Sequence, residues 1–559
     1  MKHFPISTSS FRRMRGPGGL ILPLVLFVLV LGLLLFSTRF VEKVPVIESL
    51  SPSVASPGDL VTVKGRNFHP QRDGGMVTLA GTRIVSSSYT EWDDRRIVFV
   101  VPDDAGSGMV KVTTRKGPSN GLLFTNREHI PVVLSGPAAP GMPHVESIEP
   151  SQGTVGTLVT IRGLNFGFDR GQSRVFVTQQ PLTEAGRFDE TEETMIPCSE
   201  LDYDYETWTD QEIRFYIPDG ASSGSLRVSV DRGDSNSKYF EVKDSPGVKL
   251  YTDRKGFQIA YEVSIYSPRG RADGSLDIWV PGLLVGLEQR EVEWVREPEP
   301  LWSDFMGIQR YHYEGIAALG SQKITQTYWF ERYGVETQLQ AGRILQKYNT
   351  DRDLYKIYTS PDPLVLSEEP AIAAEAQRLT RRQANPYLKA RLIYDHVLKT
   401  LAFNPSPPNR NPVAALEKGQ GDAYIYALAF CALARSSGVP ARPVAGYLVY
   451  NDKVTVRHFW AEFYLEGFGW VPVDAALGDG VRFGNFPDSL ENPAEYYFGN
   501  LDNQHITFSR GTVPVKSILP DGKPIFRDRM FSLQTIYEES SGLDYYDTLW
   551  KDVQVIDWW

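Results

Sequence analysis

The segment Pro45–Phe68, PVIESLSPSVASPGDLVTVKGRNF, returns 98 residues later as Pro143–Phe166, PHVESIEPSQGTVGTLVTIRGLNF, with half of its 24 positions identical. A chain that repeats itself this way builds one structural unit twice. In each copy an alternating run, Leu60-Val61-Thr62-Val63 or Leu158-Val159-Thr160-Ile161, ends in Gly-x-Asn-Phe, which reads as a strand followed by a turn. Each copy also closes alike, with Ile97–Val101 before Pro102 and Ile213–Ile217 before Pro218. A Gly/Ser turn, a strand, a Ser-Asn pair and Phe124 or Phe240 then follow. Short alternating strands at this spacing predict a β-sandwich of about a hundred residues per copy. The closing halves are offset by 116 residues, so the second copy carries an insertion. Ten acids lie between Glu184 and Asp210. They lack the D-x-[DN]-x-[DN]-G spacing of a calcium loop, and the stretch reads as a solvated acidic loop.

The N-terminus predicts the compartment. Lys2, Arg12, Arg13 and Arg15 precede a run from Gly19 to Phe36 that contains no charge. Eighteen residues at 1.5 Å rise span about 27 Å, enough to cross a hydrocarbon core of about 30 Å. The basic flank, residues 1–18, is expected to stay in the cytoplasm, leaving the chain beyond residue 40 outside. Ser37-Thr38-Arg39 offers no small-x-small cleavage site, so residues 19–36 read as an uncleaved anchor. The expected location is a single-pass bacterial cytoplasmic membrane protein, N-terminus inside, with a large periplasmic region. The net charge of −10 gives no general attraction to nucleic acid. Two cysteines, Cys198 and Cys431, exclude a disulfide scaffold and a cysteine-rich zinc module.

Beyond the repeats, residues 246–346 alternate strongly and read as a further β-sandwich. Residues 369–401 change to helical periodicity broken at Asn385-Pro386, which predicts two helices. Gly421–Arg435 is apolar on nearly every face, as a buried helix is, and Gly438 with Pro440 ends it. Pro443–Tyr450 is a strand. Arg457–Leu465 and Trp470–Asp474 flank Glu466-Gly-Phe-Gly469, a hairpin signal that puts His458 and Asp474 on adjacent strands.

Two resemblances follow from these motifs. Residues 45–126 and 143–243 resemble the immunoglobulin-like IPT/TIG domain, with its opening SxxPsxGxxGxxVTIxGxNF. That resemblance implies a fold and no ligand, and spacer modules are its expected role. Gly421-Asp422-Ala423-Tyr424-Ile425-Tyr426-Ala427, Gly438-Val-Pro-Ala-Arg442, Gly446-Tyr447, His458-Phe-Trp460-Ala-Glu462 and Gly469-Trp470…Asp474 resemble, in order, the motifs of the transglutaminase-like superfamily. The resemblance covers about 350–510 and implies an α+β, papain-like core, preceded by a β-sandwich and leaving 511–559 as a C-terminal extension. The whole chain is thus expected to be multidomain: one transmembrane helix, two IPT/TIG sandwiches, a further sandwich and a transglutaminase-like core.

In that family a cysteine attacks an amide carbonyl, a histidine takes its proton and an aspartate orients the histidine. His458 and Asp474 occupy the last two positions. Ala423 stands where the cysteine belongs, and a methyl group is no nucleophile. Cys431 lies eight residues along the helix, about 12 Å away and 80° around, among apolar neighbours. Cys198 belongs to another domain. The leading expectation is an envelope protein whose transglutaminase-like domain binds a peptide or protein without catalysis, with His458 and Asp474 vestigial. The alternatives are a working hydrolase or acyltransferase that uses His458 and Asp474, and a structural scaffold. No cofactor or metal is expected. Trp460, on the same strand face as His458, reads as a packing residue, and Tyr424, beside Ala423, either lines the cleft or packs in the core.

Overall fold

A computed structural model describes residues 44–559 except 73–74, 104, 127–140, 180–194, 304–306, 409–410, 485, 488–489 and 520. The expected membrane run at 19–36 and its basic flank lie outside the described residues. No helix among the described residues is long and apolar enough to cross a membrane. The chain divides into two compact units, residues 1–128 and 129–559.

The first unit contains one sandwich. One sheet orders its strands Val46–Ser51, Leu60–Arg66, Arg96–Val100, Tyr89–Trp92. The other runs Val54–Ala55, Leu122–Asn126, Gly108–Thr114, Met76–Leu79, Thr82–Arg83. Val61, Val63, Phe68, Phe99, Val110, Val112 and Phe124 fill the space between. The repeated motif has a steric cause. A Cβ on Gly65 would lie 2.0 Å from the Val46 carbonyl oxygen and 2.5 Å from the Phe68 ring, so only glycine admits the first strand and the ring together. Asn67 takes a left-handed φ of 64°, a conformation asparagine tolerates, and its side chain donates to the Val44 carbonyl. Asn120 of the Ser-Asn pair accepts from the Ile47 N–H and donates to its carbonyl, beside the bulge that interrupts the first strand pair.

The second unit opens with the same sandwich, with Gly163, Asn165 and Asn236 in the equivalent roles. Its insertion is tied to the core that follows. Asp202 Oδ1 accepts from Arg442 at 2.6 Å and from the Trp470 indole at 2.8 Å, and Asp204 pairs with Arg352 at 3.0 Å. Asp219 pairs with Lys249 and accepts from the Trp470 N–H. The spacer expectation therefore fails for this copy: Asp202 and Asp204 are counter-ions to buried arginines of the core, while the first part of the expected acidic loop, up to residue 194, lies outside the described residues.

Residues 246–346 join with the C-terminal segment in one eight-stranded sheet. Strand β1 (Gly247–Pro281) pairs along its length with β5 (Gln322–Leu339), β4 (Ile308–Glu314), β11 (Glu538–Trp550) and β12 (Gln554–Trp558). Strands β2 (Gln289–Glu297), β3 (Trp302–Ser303) and β10 (Lys523–Ile525) complete the sheet. Residues 511–559 are thus not a separate extension: β10–β12 pair within the sheet that the earlier segment begins, as β11 does with β1 from Val263↔Trp550 to Ile278↔Glu538.

The core has a four-stranded antiparallel sheet, ordered β8 (Gly469–Val473), β7 (Val454–Leu465), β6 (Ala441–Tyr450), β9 (His505–Arg510). Helices α1 (Asp353–Thr359), α2 (Pro370–Thr380), α3 (Pro386–Thr400) and α4 (Pro412–Lys418) precede α5 (Ala423–Ser436). The break at Asn385-Pro386 is an N-cap, the asparagine accepting from the Tyr387 and Leu388 N–H groups with proline at the first helical position. Helix α5 is buried from Ala423 to Arg435. It packs on Phe459, Ala461 and Phe463 of β7. By strand alternation, His458, Trp460 and Glu462 lie on the opposite face of the sheet.

Candidate functional site

Strand β7 delivers His458 and the end of β8 delivers Asp474, through a register that pairs Ala461 with Val473. Asp474 is also the N-cap of the short helix α6 (Ala475–Gly478), where its Oδ1 accepts from the Leu477 N–H at 2.9 Å. One carboxylate oxygen therefore fixes the side chain, and the other is left for chemistry. Oδ2 meets His458 Nε2 at 2.5 Å and His505 Nε2 at 3.0 Å. All three side chains have no solvent exposure. The hairpin expected from Glu466-Gly-Phe-Gly469 thus brings His458 and Asp474 together.

Three further residues enter the network: His505, at the start of β9, with Asp502 and Tyr497. His505 Nδ1 lies 3.0 Å from Asp502 Oδ1, and Tyr497 donates to Asp502 Oδ2 at 3.0 Å. Sequence reasoning passed over all three because none belongs to a motif. The spacing of Asp502 and His505 was the one available signal. Burial disfavours an imidazolium at 505, yet the Asp502 and Asp474 carboxylates outweigh it and push its pKa up to about 9. Burial likewise would raise the Asp474 carboxyl, but the two imidazoles hold it well below the usual carboxylate range. Asp502 is held down by His505 in the same way.

His458 is satisfied on one side only. Its Nδ1 is buried without a hydrogen-bond partner among the described residues. In the neutral imidazole with Nε2 donating to Asp474, the lone pair sits on Nδ1, the form a general base needs. The base and its orienting carboxylate are complete. At the position the family gives to the nucleophile, Ala423 is the first residue of α5, capped by Asp422 and 6% exposed. Asp422 also pairs with Arg529, and Tyr424 packs edge-on against Phe459. Cys431 is fully buried in the α5 core and Cys198 is buried in the second sandwich. Burial pushes both thiols up, away from thiolate. Trp460 is 1% exposed, its ring near-parallel to His458 and 6.3 Å away.

His458, Asp474 and His505 hold three donor atoms within 4.8 Å of one another. With both His505 nitrogens protonated, the form its raised pKa favours, neither has a lone pair to offer a cation.

Residues 373–475 match the transglutaminase-like superfamily, and residues 45–126 and 143–242 match the IPT/TIG domain. The chain therefore carries a transglutaminase-like core domain and tandem IPT/TIG domains. It is 22% identical over 313 residues to an uncharacterized protein of Haemophilus influenzae, covering 46% of this chain and 80% of that one. It is also 34% identical over 80 residues to a cyclomaltodextrin glucanotransferase of Bacillus licheniformis, covering 14% of this chain and 11% of that enzyme. The chain thus spans about a tenth of the glucanotransferase. Among solved structures, a protein of Cytophaga hutchinsonii provisionally described as a cysteine protease aligns over 56% of this chain and 92% of its own. Its identity is 13% and its TM-score 0.37, too low to bear on this chain's chemistry.

Proposed function

We propose that this is a membrane-anchored, extracytoplasmic envelope protein whose transglutaminase-like domain binds a peptide or protein without cysteine catalysis. The observation that carries the reading is Ala423 at the start of α5, beside a chain whose two thiols are both buried and raised. An acyl-enzyme needs a nucleophile within reach of its base, and neither cysteine supplies one. The anchor rests on the uncharged run at 19–36 behind a basic flank.

A second reading has one observation in its favour. The lone pair on His458 Nδ1 is an unused base held by a carboxylate, which suits proton transfer on a bound substrate.

The test is an amine-incorporation assay on a glutamine substrate together with a peptide-hydrolysis assay, run on the native protein and on His458→Ala. No turnover above background is expected in either. Turnover that disappears in His458→Ala sinks the non-catalytic reading and establishes the second; turnover that persists in the variant marks a contaminant.

A further inference from the structure

Two imidazoles of the core share one carboxylate oxygen. Asp474 Oδ2 lies 2.5 Å from His458 Nε2 and 3.0 Å from His505 Nε2, and the two ring centroids are 5.5 Å apart. The other Asp474 oxygen accepts from the Leu477 N–H. None of the three side chains reaches solvent, so the surrounding protein atoms set where the protons sit. The far sides of the two rings differ. His505 Nδ1 meets a second carboxylate, Asp502 Oδ1, at 3.0 Å, and that carboxylate is itself held by the Gln504 N–H and the Tyr497 hydroxyl. His458 Nδ1 meets no acceptor among the described residues.

This difference selects the ring that carries a charge. A neutral His505 has one bare nitrogen, and on either side its lone pair would face a carboxylate oxygen. The imidazolium donates on both sides and leaves nothing unpaired. His458 is the opposite case. A neutral ring with its proton on Nε2 satisfies Asp474, whereas an imidazolium would bury an Nδ1–H without an acceptor. It would also set a second positive charge against the same oxygen. Burial opposes a charge on His505, yet Asp502 and Asp474 push its pKa up to about 9, in agreement with this assignment.

The other charged groups around the pair have partners of their own. Arg332 donates to the His505 carbonyl and has Glu288 as well as Asp502 in its field. Arg457, before His458 on β7, turns to Asp552, and Asp422 at the start of α5 turns to Arg529. Asp479, after α6, accepts from Tyr426. Burial, with Asp474 next, pushes the Tyr394 hydroxyl of α3 up, so it stays neutral. Trp460 and Phe483 complete the surroundings of His458 with apolar rings.

We infer that His505 is a positioning residue for His458: by carrying the charge of the pair it holds His458 neutral, with its proton on Nε2 and its Nδ1 lone pair free. Without that charge Asp474 would act on His458 alone, which shifts the ring towards imidazolium, and an imidazolium has no lone pair to offer. The inference goes beyond the proposed function. It holds whether the core binds or reacts, because a bare Nδ1 accepts from a ligand's hydroxyl or amide as it accepts a reacting proton.

The test is nitrogen NMR at pH 7 of the full chain in detergent micelles, its eight histidines labelled with nitrogen-15. His458→Gln and His505→Gln each remove one pair of signals, which assigns both residues. In the native chain His458 is expected to show one bare and one protonated nitrogen, and His505 two protonated nitrogens. In His505→Gln, whose amide still donates but carries no charge, the ratio of charged to neutral His458 is expected to rise about tenfold or more. A histidine that only fills space would leave that ratio unmoved, so an unchanged ratio overturns the inference. So does a native His458 protonated on both nitrogens, or a bare nitrogen on native His505. If His505→Gln does not fold, Asp502→Asn carries the same test. It removes the second carboxylate, so the share of the charge on His458 relative to His505 should rise, and an unchanged share overturns the inference. None of these measurements involves turnover, so their outcome is separate from that of the activity assays.

Discussion

At the scale of single residues, the polar cluster around Asp474 governs how the core responds to pH. The folded pKa of His505, about 9, lies above its ordinary value of 6.5. Its contribution to stability is therefore complete below about 6.5 and is lost as pH rises through 9. Asp474 works in the opposite direction: held below its ordinary 3.8, it contributes above that value and loses its contribution as pH falls further. His505→Gln is expected to lower stability by about 3 kcal/mol at pH 6, because a buried carboxylate loses a charged partner. Melting curves of the native and variant chains from pH 6 to 9.5 check this: the gap in Tm should narrow as pH rises, and a constant gap would contradict the assignment. The meeting of His458 and Asp474 was legible in the sequence, because motif spacing and a Gly-rich hairpin act over a few residues. His505 was not legible. It reaches Asp474 from a strand 31 residues away, and no local pattern encodes a contact between strands that are not neighbours in sequence.

Elements were legible to the extent that their cause is local. The repeated Gly-x-Asn-Phe motif, the Asn385-Pro386 cap and the all-apolar α5 follow from sterics, capping and burial within a few residues. The joining of β1 to β11 and β12 does not, because strands paired across more than 250 residues leave only the same alternation that any strand leaves. The insertion of the second sandwich is the sharpest case. Its acids read as solvent-facing because their partners, Arg352 and Arg442, lie far along the chain, and both arginines are buried. Asp202→Ala removes an acceptor from a guanidinium and an indole that are both buried, so it is expected to cost about 3 kcal/mol or more. In the first sandwich, Glu48 pairs with Arg66 where both side chains are more than half exposed. Glu48→Ala is expected to cost less than about 1 kcal/mol. Urea unfolding of the full chain followed by tryptophan fluorescence checks the contrast. Equal small effects would mean that Asp202 is not engaged by the core.

For the whole molecule, the proposed function requires that the His458–Asp474 pair lie outside the cytoplasm, joined to the membrane by the run at 19–36. The charge on the two sides of this run is asymmetric. Four basic residues and no acid precede Gly19, whereas Arg39 and Lys43 after the run stand beside Glu42 and Glu48. Lys and Arg next to a spanning helix are retained on the cytoplasmic side, and this bias sets the orientation of a first helix. An 18-residue run needs little tilt to match a hydrocarbon core of about 30 Å. The expected outcome is that protease added to intact spheroplasts degrades the epitope of a C-terminal tag, and that an N-terminal tag stays protected until the membrane is broken. Mass spectrometry of the membrane fraction should recover peptides from before residue 19 on the same chain. Protection of the C-terminal tag in intact spheroplasts reverses the orientation, and with it the envelope ligand. An N-terminus found near residue 40 would leave the orientation standing and remove the anchor, because a signal cleaved there exports the same domains without holding them at the membrane.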